Sequence, residues 1–350
     1  MERRYAMVPG DGIGIDVTRE AVRVLEAAAK AFGFGLALES FDYGAERYLR
    51  TGETLPEGAL ETWEGFDAIF MGAFGDPRVP DMRHAADILL GTRFRMDLYA
   101  NLRPVRCLAE RLCPLRSYRA DDVDFVVFRE NTEGAYAGVG GIFKKGTPDE
   151  IGIQEDVNTR KGVERIIRAA FEHAKATGKT KVTMSDKSNA LRHAHDIWQR
   201  VFASVAKEYP GIKTNHLYVD ALTMQMIKDP SQFEVIVTCN MFGDIVTDLG
   251  AALQGGLGMA ASGNLHPGKT SMFEPVHGSA PKYAGTDTAN PFGAILTAAM
   301  MLEHTGLADA AKGIESAVVA CLDAHECTAD VGGSAGTRAA TDAVLRRILA

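Results

Sequence analysis

The chain has 350 residues, of which 46% are hydrophobic and 24% charged, as in a globular protein long enough for two domains. A net charge of −8 excludes the basic surface typical of nucleic-acid-binding proteins, although local arginines still allow an anionic substrate. Five cysteines without a CxxC pair, no signal peptide and no membrane-length apolar run predict a cytoplasmic protein with reduced thiols and no membrane partner.

The N-terminal part of the chain alternates predicted strands with helices. Residues 5–8 form a short strand that leads into PGDGIG, and the helix after it places Val17, Ala21 and Val24 at helical spacing. FDAIFM, at residues 66–71, is a second buried strand followed by a glycine-rich loop. The glycines do not follow GxGxxG spacing, so the first loop is a weak dinucleotide signature. The alternation itself predicts an α/β fold.

Three arginines lie at or near the ends of predicted strands. Arg93 and Arg103 belong to the stretch at residues 88–106, and Arg129 follows the strand DFVVF. Each can be a surface salt-bridge partner. Together they indicate a binding site for one or two carboxylates, because guanidinium groups form bidentate hydrogen bonds with carboxylates.

The middle of the chain contains a predicted arm and a candidate base. Residues 138–159 are glycine-rich and then alternating, which predicts a hairpin that projects from the body. After the strand at residues 181–184 we expect the next helix to begin within SDKSNALRHAHDIW, with Lys187 near its start. Lys187 is either a solvated lysine or a catalytic base.

Three aspartates form a candidate metal site. Val235–Val237 predicts a buried strand, and the helix after it carries Asp244 and Asp248 on one face. A third carboxylate, Asp220, ends the predicted strand HLYVD. A bound cation would relieve the repulsion between such carboxylates, and oxygen ligands suit Mg²⁺ or Mn²⁺ better than zinc. The alternative is that these side chains cap helices or face water.

The C-terminal part combines a long loop with helices. Residues 272–291 carry prolines, glycines and His277, and a loop of this length in a compact domain is usually functional. Helical patterns follow at residues 294–303, 311–322 and 338–349.

Several ordered motifs together resemble the β-decarboxylating dehydrogenases, the family of isopropylmalate, isocitrate, homoisocitrate and tartrate/D-malate dehydrogenases. The resemblance extends over essentially the whole chain and rests on PGDGIG, DLYANLRPVR, RENTEGAY, KSNAL, YVDA, NMFGDIVTDLGA, FEPVHGSAPKYAG and ANPFGAILTAAMMLEH. It implies a two-domain α/β fold of the isopropylmalate/isocitrate dehydrogenase type, distinct from the Rossmann fold.

The resemblance also implies how the domains are divided. Residues 1–98 and 255–350 would form the large domain with the cofactor loops, and residues 99–254 the small domain with the metal aspartates and the dimer arm at about 138–159. The active site would lie in a cleft and be completed by the second subunit of a homodimer.

The resemblance implies a role for each matching residue, in a metal-dependent oxidative decarboxylation of a small 2-hydroxy diacid. The catalytic residues would be Tyr136, Lys187 and Asp220. The substrate would contact Arg93, Arg103, Arg129, Leu89, Leu90 and Asn189. Mg²⁺ or Mn²⁺ would bind Asp220, Asp244 and Asp248. The nicotinamide cofactor would contact Glu274, His277, Gly278, Ser279, Ala280, Lys282, Tyr283 and Asn290.

Departures from the family pattern bear on specificity. Leu89 and Leu90 precede Arg93 where isocitrate enzymes have polar residues, which favours an alkylmalate such as 3-isopropylmalate. KSNAL leaves tartrate/D-malate dehydrogenase as the alternative, and a non-catalytic regulatory subunit is a remote one. Lys282 and Tyr283 match an NADP-type pair, but Ala289 is the NAD-type residue, so we expect NAD, with NADP possible.

Overall fold

The computed structural model describes residues 2–350, which form twelve strands and twelve α-helices joined by shorter turns. The strands are β1 Glu2–Gly10, β2 Gly35–Ser40, β3 Ala68–Ala73, β4 Ala100–Arg106, β5 Asp124–Glu130, β6 Gly140–Phe143, β7 Ile151–Gln154, β8 Lys181–Asp186, β9 Lys213–Tyr218, β10 Val235–Thr238, β11 Ala261–Leu265 and β12 Ser271–Pro275. The helices are α1 Ile13–Phe32, α2 Ala45–Thr51, α3 Ala59–Trp63, α4 Arg83–Ala85, α5 Thr92–Arg95, α6 Arg160–Thr177, α7 Asp196–Ala206, α8 Val219–Lys228, α9 Asn240–Leu253, α10 Phe292–His304, α11 Ala308–Asp323 and α12 Thr337–Ile348. None of the helices among these residues combines the length and the hydropathy that a membrane span requires.

The chain divides into two compact units. The larger one contains the chain up to Leu98, Arg106–Val123 and Ala251–Ala350, and the smaller one contains Tyr99–Val105 and Asp124–Gly250. The prediction placed residues 106–123 and 251–254 in the small domain, whereas both segments belong to the larger unit.

The larger unit is built on strands in the order β2-β1-β3-β12-β11. β1 pairs in parallel with both β2 and β3, β12 pairs in parallel with β3, and β11 is antiparallel to β12. The antiparallel strand and this order depart from the all-parallel dinucleotide-binding sheet. Apolar faces of α1, α10, α11 and α12 share one core cluster, which includes Val17, Val24, Ile295, Ile314 and Val344.

The smaller unit is built on strands in the order β4-β5-β10-β8-β9, with β10 parallel to β5 and β8, and β8 parallel to β9. Val235–Val237 are fully buried on β10, as the apolar run predicts for a central parallel strand. β6 and β7 form a separate antiparallel pair whose residues are all exposed. The predicted hairpin at residues 138–159 is therefore present.

Three predicted element boundaries were wrong. The segment after Lys187 forms turns, and α7 begins only at Asp196. Asp220 lies in the first turn of α8 instead of ending a strand, because β9 stops at Tyr218. The predicted loop at residues 272–291 begins with β12, which ends at Pro275.

Candidate active site

A carboxylate in the smaller unit is the centre of a polar cluster. Arg129 Nη1 donates a hydrogen bond to Asp244 Oδ1, and Arg103 Nη2 lies 3.4 Å from the same oxygen. The Tyr136 hydroxyl donates to Asp244 Oδ2 at 2.8 Å. Both arginines are buried, whereas the Asp244 side chain remains 38% exposed. Two positive charges and one phenol thus meet at a carboxylate that solvent or a ligand can reach.

The local chain geometry explains how Arg129 reaches this position. Arg129 lies near the end of β5, opposite Thr238 of β10, and α9 begins two residues after Thr238. Asn240, the first residue of α9, accepts hydrogen bonds from Arg129 Nε and Nη2 at 3.0 and 2.7 Å. The arginine then passes against Gly243, where a Cβ atom would lie 2.4 Å from Arg129 Cγ. Because Gly243 has no side chain, it leaves space for the methylene groups of the buried Arg129 side chain.

Arg103 is fixed on β4 by neutral partners. Its Nε donates to Asn101 Oδ1 at 2.8 Å, and its Nη1 donates to Thr247 Oγ1 at 2.6 Å. Thr247 lies one helical turn from Gly243 on α9, so the helix that carries the aspartates also orients this arginine. Neither Asn101 nor Thr247 was predicted as a site residue. Their only sequence signal is their place inside the motifs that carry Arg103 and Asp244.

Tyr136 is a protonated phenol next to a cation. The Arg129 guanidinium lies 5.2 Å from the centre of its ring. Burial, together with the hydrogen bond to Asp244, raises the pKa of the Tyr136 hydroxyl above its ordinary value. The phenol therefore keeps its proton at neutral pH, as a general acid must before it acts.

Lys187 and Asp220 form a second pair. Lys187 directly follows β8, and Asp220 lies in the first turn of α8. Lys187 Nζ donates a hydrogen bond to Asp220 Oδ1 at 2.9 Å. The hydrogen bond from Lys187 lowers the pKa of the Asp220 carboxyl. Two of the predicted catalytic residues are therefore hydrogen-bonded to each other within one chain. Asn189, also predicted to contact substrate, is exposed in the turn that follows.

The three predicted metal ligands are not gathered in one chain. Asp244 and Asp248 are one helical turn apart on α9, and Asp248 is exposed. Asp220 is bound to Lys187 instead. Within residues 2–350 no group of three or more histidine, cysteine, aspartate or glutamate side chains is arranged to hold a metal ion. Two carboxylates on one exposed helix face fit a hard divalent cation, but the third must come from elsewhere, and the predicted metal site remains a proposal.

In the larger unit, Arg93 is paired with a residue predicted to bind the cofactor. Arg93 Nη2 lies 2.5 Å from Glu274 Oε1, and both side chains are buried. Asn264 Nδ2 also donates to Glu274 Oε1, at 2.9 Å. The Glu274 carboxylate is therefore the buried ion-pair partner of Arg93. Leu89 and Leu90 are partly buried on a π-helical turn, Ala86–Gly91, and such turns are frequent at functional sites.

The predicted cofactor loop packs on the start of α1. Ile13 N donates to Ser279 O at 2.8 Å, and a Cβ atom at Gly12 would lie 2.1 Å from that oxygen. His277 Nε2 is buried and has no hydrogen-bond partner among residues 2–350. Burial lowers the pKa of His277, so the imidazole is neutral. A buried nitrogen without a partner fits a polar group supplied by a bound cofactor.

The other predicted cofactor residues are in different environments. Lys282 Nζ lies 4.6 Å from the centre of the Tyr283 ring, and Tyr283 is exposed. Gly278 is exposed, and Ala280 has a φ of 36°. Asn290 donates to Asp330 Oδ2 at 3.0 Å and accepts from Phe292 N at 2.9 Å, so its amide is already engaged.

Asp11 is a buried carboxylate that the sequence analysis did not identify. Its carboxylate accepts from Ala45 N at 2.6 Å, from Gly75 N at 2.8 Å and from His84 Nε2 at 2.8 Å. Asp11 and His84 are both buried. This carboxylate joins the loops after β1 and β3 to the start of α2. A signal was available, because Asp11 is the one acidic residue inside PGDGIG.

Comparison with known proteins decides the family. The model of the isocitrate/isopropylmalate dehydrogenase family matches residues 4–346. The chain belongs to this family. Its relatives include the 3-isopropylmalate dehydrogenase of Thermobifida fusca, 46% identical with 99% of this chain and 97% of that one covered. The 3-isopropylmalate dehydrogenase of Streptomyces coelicolor is 45% identical, with coverage of 96% and 98%.

Two solved structures have the same fold as this chain. The isocitrate dehydrogenase from Methylococcus capsulatus superposes with a TM-score of 0.89 at 36% identity over 100% of both chains. The TT0538 protein from Thermus thermophilus has a TM-score of 0.87 at 36% identity, covering 99% of this chain and 68% of that one. The predicted family, the predicted fold and the prediction of a dehydrogenase are confirmed.

Proposed function

We propose that this family member catalyses the metal-dependent oxidative decarboxylation of 3-isopropylmalate with NAD. The observation that carries the proposal is the identity of 45 to 46% with 3-isopropylmalate dehydrogenases over nearly the whole chain. The isocitrate dehydrogenase with the same fold is 36% identical, so the fold alone does not separate the two substrates.

The apolar character of Leu89 and Leu90 supports an alkylmalate. Both lie on the π-helical turn that leads to Arg93, and both are partly buried. An isopropyl group can pack against such side chains, whereas the additional carboxylate of isocitrate would lose hydration without gaining a polar partner. Tartrate or D-malate lacks the branched alkyl group and would leave this surface unfilled.

The site residues divide the chemistry among themselves. We assign the binding of the substrate carboxylates to Arg93, Arg103 and Arg129. Lys187, in its neutral amine form and still hydrogen-bonded to Asp220, takes the proton from the substrate hydroxyl. Tyr136, which holds its proton against Asp244, delivers it to carbon after CO₂ has left. Bound NAD would supply the hydride acceptor, and a divalent metal ion held by Asp220, Asp244 and Asp248 would supply positive charge to the substrate oxygens.

The exposed apolar surface of the smaller unit supports a homodimer. Met224 and Ile227 of α8, Ile245 of α9, and Ile142 and Phe143 of the arm are exposed large hydrophobic residues. Where exposed hydrophobic residues of this kind form a contiguous patch, the patch marks an interface. We propose that a second copy covers them and supplies Asp220 to the Asp244 and Asp248 pair, which completes an oxygen-only set for Mg²⁺ or Mn²⁺.

The preference between NAD and NADP depends on the residues of the predicted cofactor loop that would contact the adenosine part of the cofactor. Lys282 and Tyr283 can contact a 2′-phosphate, and this pair allows some use of NADP. We propose that NAD is preferred, with Ala289 as the NAD-type residue. A higher kcat/KM for NADP than for NAD would refute this preference.

A substrate panel tests the proposal. We expect kcat/KM with NAD and Mn²⁺ to be highest for 3-isopropylmalate, at least about tenfold above isocitrate, homoisocitrate, D-malate and tartrate. A maximum for D-malate or tartrate would favour the alternative dehydrogenase. If none of these substrates led to cofactor reduction, the result would favour a regulatory subunit. The presence of Tyr136, Lys187 and all three aspartates argues against that alternative. The cytoplasmic location stays a prediction.

A further inference from the structure

A buried histidine binds the backbone of the proposed catalytic lysine. The main-chain N–H of Lys187 donates to His195 Nδ1 at 3.1 Å. His195 lies just before α7, and its side chain is fully buried. A backbone N–H can only donate, so Nδ1 must be the acceptor and the ring proton belongs on Nε2. This contact alone therefore selects one tautomer of His195.

The opposite side of the imidazole supports the same tautomer. His195 Nε2 lies 3.1 Å from Asp156 Oδ2, a distance at which Nε2–H donates to a carboxylate. The hydrogen bond with His195 also lowers the pKa of the Asp156 carboxyl, so Asp156 is an ionised acceptor. Asp156 follows β7 at the base of the arm. A chain of two hydrogen bonds thus runs from the arm through His195 to Lys187.

Packing keeps the imidazole in this orientation. The His195 ring lies 5.5 Å from the Phe242 ring of α9, at an interplanar angle of 61°. The residue before Lys187 is fixed separately, because Asp186 accepts from Gln199 Nε2 at 2.7 Å and is 2.9 Å from His216 Nε2. The backbone at Lys187 is consequently held on both sides in a segment that is neither helix nor strand.

We propose that His195, oriented by Asp156, is a positioning residue for Lys187. By holding the Lys187 amide it directs Nζ toward Asp220, 2.9 Å away. The inference rests on the proposed function in one respect, the role of Lys187 as the base. Small displacements of a catalytic group reduce turnover strongly, so losing this hydrogen bond lowers kcat more than it changes KM.

Two amide substitutions separate the two hydrogen bonds of His195. In His195→Asn an amide oxygen occupies the place of Nδ1 and can still accept from Lys187 N–H. In His195→Gln the amide reaches the place of Nε2 and Asp156 but loses the Lys187 contact. We expect His195→Asn to keep kcat within about threefold and His195→Gln and His195→Phe to lose at least about tenfold, with KM changed less than about threefold. His193→Phe, at an exposed position in the same turn, is the control and should match the wild type.

The outcomes separate this proposal from the proposed function. Unchanged kcat in His195→Gln and His195→Phe, with Lys187→Met inactive, would overturn the positioning role alone. Full activity of Lys187→Met would overturn the assigned base. Independently of any activity, nitrogen-15 NMR of histidine-labelled protein should show an Nε2–H neutral imidazole, identified by its loss in His195→Asn. An Nδ1–H tautomer would contradict the inference whatever the substrate is.

Discussion

Arg129 shows how one buried charge organises the smaller unit. Its side chain is only 2% exposed, and burial of an unpaired guanidinium would cost several kcal/mol. Asp244, Asn240 and the ring of Tyr136 offset that cost. Each of these partners is also a candidate functional group or its direct neighbour. Binding a carboxylate substrate beside Arg129 therefore acts on the same charges that stabilise this part of the fold.

The first prediction concerns Tyr136→Phe. Removing the hydroxyl takes away the proposed proton donor, so kcat should fall by about 10²- to 10⁴-fold, with a much smaller change in KM. Steady-state kinetics with 3-isopropylmalate measures this. Tyr209→Phe is the matched control, because the Tyr209 hydroxyl also donates to a carboxylate, that of Glu172. Equal losses in both variants would show that the effect is structural and would remove Tyr136 from the mechanism.

The second prediction concerns Tyr5 and alkaline stability. Burial raises the pKa of Tyr5 from its ordinary value of 10 to about 12. The neutral phenol therefore contributes stability that is complete below pH 10 and is lost as the pH rises to 12. Over this interval the wild type should lose about 2 kcal/mol more of its free energy of unfolding than Tyr5→Phe. Denaturant titrations measure the difference.

The control for Tyr5 is Tyr283→Phe, at an exposed tyrosine of the same unit. Because this variant keeps Tyr5, it should lose stability as the wild type does when the pH rises from 10 to 12. If Tyr5→Phe lost stability as steeply as the wild type, the buried phenol would not be the group that titrates.

At the scale of the residue, the sequence predicted single side chains better than their contacts. Tyr136 and Asp244 were each expected in the site, but their hydrogen bond joins positions 108 residues apart, which no local pattern encodes. The pairing of Glu274 with Arg93, 181 residues apart, was missed for the same reason. Asp11 was overlooked because its partners are mostly backbone N–H groups from other loops.

At the scale of the element, buried strands and amphipathic helices were predictable from periodicity. β10 and α1 match their predicted patterns, because the apolar residues on which the predictions rested are buried: Val235–Val237 in β10, and Val17, Ala21 and Val24 in α1. The turns after Lys187 were predicted as helix, since their composition is typical of one. Within this segment Leu191 N donates to Lys187 O and His195 N donates to Leu191 O, but these bonds form separate turns and not a continuous helix. Similarly, β9 ends early because the chain enters α8 at Val219.

The third prediction tests the close approach of α9 to β5 with Gly243→Ala. Alanine favours a helix by about 1 kcal/mol, but overpacking costs about 1–3 kcal/mol. The new Cβ would meet Cγ and Cβ of Arg129, at 2.4 and 2.6 Å, and these atoms cannot swing away like a side-chain tip. We expect a net loss of about 1–2 kcal/mol in urea denaturation and a higher KM, because Arg129 must shift.

Gly211→Ala is the control for this substitution. A Cβ atom at Gly211 would meet no atom within 4 Å, so the free energy of unfolding and KM should both stay near wild type. A variant Gly243→Ala with unchanged stability and unchanged KM would show that Arg129 does not need this space.

At the scale of the whole molecule, the candidate site is incomplete in one chain. Asp244 and Asp248 share a helix face, while Asp220 is held by Lys187 in the same unit. The sequence resemblance implied a shared site in a homodimer. The exposed apolar residues of α8, α9 and the arm support that arrangement. Local sequence patterns carry no signal for which copy supplies a ligand, so this feature depended on the resemblance.

The fourth prediction uses complementation between inactive subunits. Asp220→Asn and Asp248→Asn should each abolish metal-dependent activity as homodimers, since each removes one carboxylate from every site. A purified heterodimer of the two variants should regain about half of the wild-type activity, because one of its sites receives every native carboxylate. If Asp220 served its own chain, both sites of the heterodimer would be defective and no activity would return.

The central claim is that this family member couples hydride transfer to decarboxylation of an alkylmalate. The most direct measurement follows NADH and CO₂ together when the purified protein is given 3-isopropylmalate, NAD and Mn²⁺. We expect both to appear in equal amounts and both to stop when a chelator removes the metal. NADH without CO₂, or neither product from 3-isopropylmalate while another hydroxy diacid yields both, would contradict it.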